Sequence, residues 1–202
     1  MLNHCADIVN ALSDTGYVII EDCFAPDLIA SLFDECRRYA QQGLMHAAKI
    51  GQRGASVQQP AIRSDQITWL DQDKSSLAQS LYLQEMAALR LALNRDLYLG
   101  LFDYEAHFTR YAAGSLYQRH LDQFRNNTVR QVSTICYLNP DWDPSFGGQL
   151  KLYAPDTPDQ LIAEVYPKAN TFICFLSARF PHEVCLTRQE RLSLTGWFRR
   201  RG

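Results

Sequence analysis

Residues 171–198, TFICFLSARFPHEVCLTRQERLSLTGWF, contain three short runs rich in β-branched and aromatic side chains. Polar or turn-forming residues separate these runs, which is the pattern of successive β-strands. Four similar runs lie between residue 103 and this stretch: AHFTRYA, VSTICYL, QLKLYA and IAEVY. Many short strands at nearly even spacing predict a β-sandwich or a jelly roll.

The N-terminal half differs, because its apolar residues recur mostly at helical spacing. Helices are predicted at residues 4–13, 26–42 and 75–99, and strands at 17–24 and 61–70. The predicted apolar series of the third helix is Leu77, Leu81, Met86, Leu89, Leu93 and Leu97. Helices that precede the strands along the chain indicate an α+β fold. We therefore expect a β-sandwich or a double-stranded β-helix (jelly roll), with N-terminal helices packed on one sheet.

The overall composition argues against several classes of protein. The 20 basic and 22 acidic residues nearly balance, whereas a dedicated nucleic-acid binder usually has a strongly basic face. The sequence has no apolar run long enough for a membrane span, and its N-terminus is amphipathic rather than a signal peptide. The six cysteines form no CxxC pair, so we expect reduced, buried thiols and a cytoplasmic location.

The first candidate site is the HxD pattern of His120 and Asp122. In a strand, side chains two positions apart point to the same face, so this imidazole and this carboxylate could hold one metal ion. His182, in the later segment FPHEV, is the best candidate for a third ligand. Two histidines and one carboxylate leave metal positions open, as non-haem Fe(II) oxygenases require. The other histidines, 4, 46 and 107, lack such a carboxylate and are predicted to be structural.

Arg191 begins the apolar strand RLSLTGWF, nine positions after His182. A guanidinium at the head of a core strand needs an anion, and its planar fork suits a carboxylate such as that of 2-oxoglutarate. The alternative is a surface arginine paired with Glu190 or Glu183.

Four segments together resemble a known family: RYAAGSLYQRHLD, STICYLNPDWDPSFGGQLKLY, ARFPHEV and RLSLTGWF. They are similar to the catalytic domain of the prolyl hydroxylases that modify hypoxia-inducible factor, and more closely to the bacterial counterparts of those enzymes. The resemblance covers about residues 15–200. It implies a single Fe(II)/2-oxoglutarate dioxygenase catalytic domain over residues 1–202, with helical support over about 1–100 and the jelly-roll core over about 103–200.

The resemblance also implies roles for individual residues. His120, Asp122 and His182 would bind Fe(II), and Arg191 would bind the far carboxylate of 2-oxoglutarate. The implied co-substrate pocket further includes Tyr137, Tyr111, Thr195, Ile135, Val184 and Trp197. The implied contacts to a protein substrate are Arg130, Tyr117, Arg63 and Asp65, and the polar segment 49–60 would belong to a mobile substrate loop near 49–70.

The implied reaction is hydroxylation of a protein-bound proline at C4, with Fe(II), 2-oxoglutarate and O2, and with ascorbate as reductant. Some bacterial members of the family act on elongation factor Tu, which makes it the favoured partner. Three alternatives stay open: hydroxylation of a small molecule or free amino acid, a non-catalytic metal-binding jelly roll, and a zinc hydrolase. A zinc hydrolase with the same ligands would leave Arg191 unexplained.

Overall fold

The computed structural model describes residues 4–48, 59, 61–123, 128–157 and 159–202. The helices are α1 (Cys5–Asp14), α2 (Pro26–Gln41) and α3 (Leu77–Leu97). The strands are β1 (Tyr17–Ile20), β2 (His46–Ala47), β3 (Gln66–Trp69), β4 (Asp103–Tyr111), β5 (Tyr117–His120), β6 (Arg130–Tyr137), β7 (Leu150–Tyr153), β8 (Leu161–Val165), β9 (Phe172–Leu176), β10 (His182–Val184) and β11 (Arg191–Arg199).

Local sequence explains where the longer helices begin and end. Pro26 stands in the first turn of α2, where its missing N–H costs nothing and its fixed φ suits a helix. The Ser76 side chain caps α3 by accepting a hydrogen bond from the Gln79 backbone N–H at 3.1 Å. Tyr98 then adopts a left-handed conformation with φ 53°, which ends α3. Among the described residues, no helix is both long and apolar enough to cross a membrane.

The strands form two antiparallel sheets. The main sheet has seven strands in the order β1-β9-β6-β11-β4-β3-β2, and the minor sheet has four in the order β5-β10-β7-β8. In the main sheet β11 pairs with β4 from Arg191 opposite Tyr111 to Arg199 opposite Asp103. The predicted α+β jelly roll with N-terminal helices is confirmed, although β1, β2 and β3 lie among the helices along the chain.

One face of the main sheet carries the helices. Leu192, Leu194 and Phe198 of β11 are at most 2% exposed and belong to one core cluster with Met86 and Leu93 of α3, both 0% exposed. Each such side chain stabilises the fold by about 1.5–3 kcal/mol relative to an exposed position. The helices thereby fix the main sheet from one side.

The opposite face of the main sheet, here called the inner face, is partly polar. Strand alternation places Arg191, Ser193, Thr195 and Trp197 of β11 on this face. Side chains directly opposite each other in a ladder share a face, so the neighbouring strands add further inner-face residues. These are Tyr111, Thr109 and His107 of β4 and Tyr137, Ile135 and Ser133 of β6.

The element predictions were wrong in some details. The leucine spacing predicted Leu77 and Leu81 on the buried face of α3, but they are 76% and 43% exposed, and Ala78 and Tyr82 are buried instead. The predicted strand 17–24 ends at Ile20, close to Asp22, whose φ is 51°. The predicted strand 61–70 is reduced to β3, and residues 49–58 and 60 of the predicted loop lie outside the described residues.

Candidate active site

The HxD pattern and the later histidine meet at one point of the fold. His120 ends β5, and His182 begins β10 directly opposite it in the antiparallel pair. Nε2 of His120 lies 3.6 Å from Oδ1 of Asp122, and Nε2 of His182 lies 3.7 Å from Oδ2 of the same carboxylate. One ligand atom from each residue lies within 4.8 Å of the others, so the three side chains can hold one metal ion.

Asp122 reaches this position by a different route from the one predicted. Alternation within one strand was expected to align it with His120, but β5 ends at His120 and Asp122 lies in the bend that follows. Its carboxylate is held by a hydrogen bond that the Ser133 hydroxyl of β6 donates to Oδ2 at 2.6 Å. The bend and this hydrogen bond, rather than the pleat of β5, set the direction of the carboxylate.

Backbone carbonyls orient both imidazole rings. Nδ1 of His120 lies 2.7 Å from the Gln118 carbonyl oxygen, and Nδ1 of His182 lies 3.0 Å from the Phe180 carbonyl oxygen. A carbonyl can only accept, so each Nδ1 carries the hydrogen and each Nε2 presents its lone pair to the metal position.

The ionisation states of the ligands suit a divalent cation. Burial lowers the pKa of His182 to about 4, so its ring is neutral at neutral pH. Burial acts to raise the pKa of Asp122, but His182, His120 and the Ser133 hydrogen bond outweigh it and hold that pKa well below its ordinary value. A neutral imidazole and an ionised carboxylate are the forms that bind metal.

Ser133 and Ser177 were missed by the sequence analysis. Both are fully buried, their hydroxyls lie 2.8 Å apart, and Ser133 also contacts Asp122. Ser177 follows β9, so the pair joins two strands of the main sheet behind the carboxylate. A serine in an apolar strand is a weak signal, and only the sheet register brings it to the metal position.

Three residues predicted to contact a substrate form a chain of contacts that begins at His120. The Tyr117 ring stacks on the His120 ring with centroids 3.6 Å apart and an interplanar angle of 15°. The Arg63 guanidinium lies 4.8 Å from the centre of the Tyr117 ring and donates two hydrogen bonds to Asp65, at 2.6 and 2.9 Å. The structure therefore brings Arg63, Asp65 and Tyr117 together on one side of the metal position.

Arg191 is buried, and no carboxylate of the described residues pairs with it. It is 1% exposed, and it donates to the Gly148 carbonyl oxygen at 2.9 Å and to the Tyr137 hydroxyl at 3.1 Å. Its guanidinium carbon also lies 4.9 Å from the centre of the Tyr111 ring. Both groups that it hydrogen-bonds are neutral, and no ion pair to Arg191 is found among the described residues.

The alternative of a surface arginine paired with an acidic neighbour is wrong. Glu190 pairs with Arg110 at 2.5 Å, and Glu183 accepts a hydrogen bond from Tyr153 at 2.5 Å. An unpaired buried charge costs several kcal/mol, so the site is suited to an anion that enters from outside.

The other residues predicted to line the co-substrate pocket lie on or near the inner face. Ile135 and Val184 are each 7% exposed, and Trp197 is 4% exposed. The Ser193 hydroxyl and the Trp197 Nε1–H are buried and have no hydrogen-bond partner among the described residues. Ser193, which the sequence analysis did not single out, lies between Arg191 and Thr195 on this face.

Arg130 is already engaged. Its guanidinium carbon lies 3.5 Å from the centre of the Trp197 ring, and its Nε donates to Glu105 at 3.0 Å. It packs on Trp197, a residue predicted to line the co-substrate pocket, and shares Glu105 with Arg199.

Comparisons with known proteins agree with this geometry. The sequence model of the 2OG-Fe(II) oxygenase superfamily matches residues 106–199, a range that includes the three candidate ligands and Arg191. The crystal structure of a Pseudomonas putida prolyl-4-hydroxylase is 41% identical, with a TM-score of 0.87, and the match covers 98% of this chain and 100% of that chain.

Two animal proteins are also similar. A Trichoplax adhaerens prolyl hydroxylase, solved with a hypoxia-inducible factor oxygen degradation domain peptide fragment, is 25% identical with a TM-score of 0.85, covering 96% of this chain and 88% of that chain. The human prolyl hydroxylase EGLN3 is 27% identical over 202 residues, which cover 95% of this chain and 81% of that protein.

Proposed function

This chain belongs to the 2OG-Fe(II) oxygenase superfamily, and on that basis we propose that it is a prolyl 4-hydroxylase acting on a proline in a protein substrate. One observation carries the proposal: Arg191 is buried on the inner face, has no carboxylate partner among the described residues, and shares that face with Ser133, which holds Asp122 of the His120–Asp122–His182 cluster. A metal position and an anion position on the same side of one sheet suit an iron enzyme with an anionic co-substrate. The prolyl substrate is supported by the 41% identity to the Pseudomonas putida prolyl-4-hydroxylase over almost the whole chain.

His120, Asp122 and His182 would hold Fe(II). The fit rests on two oriented Nε2 atoms and one ionised carboxylate, a donor set typical of non-haem iron. When bound there, Fe(II) together with 2-oxoglutarate and O2 supplies the oxidising chemistry that hydroxylates a C–H bond. The protein contributes the fixed direction of each ligand, through the Gln118 and Phe180 carbonyls and the Ser133 hydroxyl.

Arg191 would bind the far carboxylate of 2-oxoglutarate. Its Nε is used by Gly148 and one terminal nitrogen by Tyr137, so the other guanidinium N–H groups can meet the carboxylate. Tyr137 accepts from Arg191 and keeps its own hydroxyl hydrogen to donate to the same carboxylate. The unpartnered Ser193 hydroxyl is a further donor toward this co-substrate. Thr195, Tyr111, Ile135, Val184 and Trp197 would complete the pocket wall.

Arg63, Asp65, Tyr117 and Arg130 would line the entrance for the protein substrate. Both arginines already pair with a carboxylate, Arg63 with Asp65 and Arg130 with Glu105. Their remaining N–H groups would suit backbone carbonyls of a peptide better than acidic side chains. The chemistry of the entrance therefore favours an extended peptide without a need for acidic residues beside the proline.

We propose elongation factor Tu as the protein substrate and the cytosol as the location. The support for this partner is the resemblance of the sequence to bacterial prolyl hydroxylases. Six unpaired cysteines are consistent with a reducing compartment. Ascorbate would serve to keep the iron reduced between turnovers.

The substrate proposal is tested by comparing the proteins of a strain that lacks this enzyme with those of its parent. Mass spectrometry should show one proline of elongation factor Tu that carries an extra oxygen only in the parent. Adding purified enzyme with Fe(II), 2-oxoglutarate and ascorbate to elongation factor Tu from the deletion strain should restore that oxygen.

Other outcomes would correct the proposal in different ways. Loss of hydroxyproline from another protein would keep the activity and replace the partner. If no protein changes but the enzyme still converts 2-oxoglutarate to succinate, hydroxylation of a small molecule or free amino acid would replace the protein substrate.

A further inference from the structure

A row of three polar side chains crosses the inner face from β4 to β11. Nδ1 of His107 lies 2.9 Å from the Thr109 hydroxyl oxygen. The Thr109 hydroxyl in turn donates to the Thr195 hydroxyl oxygen at 3.2 Å. His107 and Thr109 are each 2% exposed, so water cannot easily replace either hydrogen bond.

The direction of the hydrogen bonds in this row follows from counting the hydrogens. A threonine hydroxyl has a single hydrogen, and that of Thr109 is used toward Thr195. The contact between His107 and Thr109 can then be a hydrogen bond only if Nδ1 of His107 carries the hydrogen. The Thr195 hydroxyl, which accepts from Thr109, keeps its own hydrogen to donate elsewhere.

The surroundings of His107 suit a fixed, neutral donor. Its ring packs against two tryptophans, with centroid distances of 4.8 Å to Trp69 and 5.4 Å to Trp197. Burial, with a smaller contribution from Arg63, lowers the pKa of His107 to about 3. The ring therefore cannot easily rotate, and it carries one hydrogen rather than two at neutral pH.

We propose that His107 and Thr109 are positioning residues that turn the Thr195 hydroxyl hydrogen into the pocket as a donor to 2-oxoglutarate. This inference rests on the proposed function, because it needs 2-oxoglutarate as the acceptor. It assigns a role to His107, which the sequence analysis treated as structural, and to Thr109. The hydrogen bonds run in one direction, His107 to Thr109 to Thr195, and no proton moves along them.

The first test reads the tautomer of His107 directly. The protein is labelled with 15N-histidine, loaded with Zn(II) to keep it diamagnetic, and examined by NMR with 2-oxoglutarate. The signal that disappears in His107→Asn identifies this residue among the five histidines. The hydrogen is expected on Nδ1. A hydrogen on Nε2 alone would overturn the proposal, because Thr109 would then have to donate to His107.

The second test measures how tightly the Mn(II)-loaded protein binds 2-oxoglutarate, by calorimetry. Thr109→Val keeps the shape of the side chain and removes the hydroxyl, and it should raise the dissociation constant roughly 2- to 10-fold, the effect of one neutral buried hydrogen bond. Thr109→Ser should restore the wild-type value. In turnover assays the valine variant should raise KM for 2-oxoglutarate more than it lowers kcat.

Thr134→Val is the matched control. Thr134 is a buried β6 threonine that contacts the Tyr104 hydroxyl at 2.7 Å, on the helix-covered face of the same sheet. The Thr134→Val variant should be less stable than wild type but should bind 2-oxoglutarate with the same affinity. If Thr109→Val behaves like this control, the row is only structural and the proposal is wrong. If the wild-type protein itself binds no 2-oxoglutarate, the proposed function fails first.

Discussion

Replacing Arg191 by Met separates a functional arginine from a structural one. The guanidinium is 1% exposed and hydrogen-bonds two neutral groups, and no carboxylate pairs with it among the described residues. A buried charge without an ionic partner is costly to the folded state, and an apolar side chain of similar length removes that cost. We therefore expect Arg191→Met to unfold, in the absence of 2-oxoglutarate, at or above the wild-type temperature.

The same substitution should abolish stabilisation by 2-oxoglutarate. A ligand present at about 100 times its dissociation constant stabilises the folded state by about 2.7 kcal/mol. For a chain of this length that raises Tm by about 5–10 °C. The wild-type, Mn(II)-loaded protein should show this rise, and Arg191→Met should show almost none.

Thermal unfolding followed by circular dichroism, with and without 2-oxoglutarate, measures both effects. Arg110→Met is the matched control, because Arg110 lies on the neighbouring strand and pairs with Glu190 instead of an incoming anion. It should keep the full rise in Tm. The reasoning is refuted if Arg191→Met is strongly destabilised without ligand, or if 2-oxoglutarate still raises its Tm as in wild type.

Three further substitutions test other contacts. Ser133→Ala removes the hydrogen bond to the Asp122 carboxylate and should weaken Mn(II) binding about 10- to 100-fold, whereas Ser133→Thr keeps the hydroxyl and most of the affinity. Equal Mn(II) affinity of the alanine variant and wild type, measured by calorimetry, would contradict this. Gly196→Ala would place a Cβ against the buried Tyr104 hydroxyl and should destabilise the fold by about 1–3 kcal/mol in urea titrations, so an unchanged midpoint would show that the sheet relaxes freely. Asp65→Ala leaves the partly buried Arg63 guanidinium without its carboxylate and should cost about 3–5 kcal/mol. A loss below about 1 kcal/mol, the value typical of a surface pair, would contradict this.

Much of the fold could be predicted because its signals are local. The apolar runs from residue 103 onward predicted the strands, and Pro26 marked the start of α2. The buried face of α3 was harder to predict, because leucines occur on both sides of this helix. Leu77 is 76% exposed while Tyr82 is fully buried, and packing against α1 and α2 decides between them.

The site was predictable only where residue type and order carry the chemistry. His120, Asp122, His182 and Arg191 are separate signals whose order along the chain suggests one pocket. Ser133 gives no such signal, because its hydrogen bond to Asp122 depends on how β6 lies beside the bend after β5.

The inner-face row of His107, Thr109 and Thr195 likewise could not be predicted from local sequence. His107 and Thr195 stand opposite each other in the β4–β11 ladder, although 88 positions separate them in the sequence. A histidine or threonine in a strand pattern is ambiguous until that register is known.

The central claim is that His120, Asp122, His182 and Arg191 form the site of a 2-oxoglutarate-dependent iron oxygenase. The most direct measurement is succinate formed from 2-oxoglutarate by the purified protein with Fe(II), O2 and ascorbate. Wild type should form succinate in an O2-dependent reaction that elongation factor Tu accelerates, and His182→Ala should form almost none. No succinate from the folded, iron-loaded wild type, or equal succinate from His182→Ala, would contradict the claim.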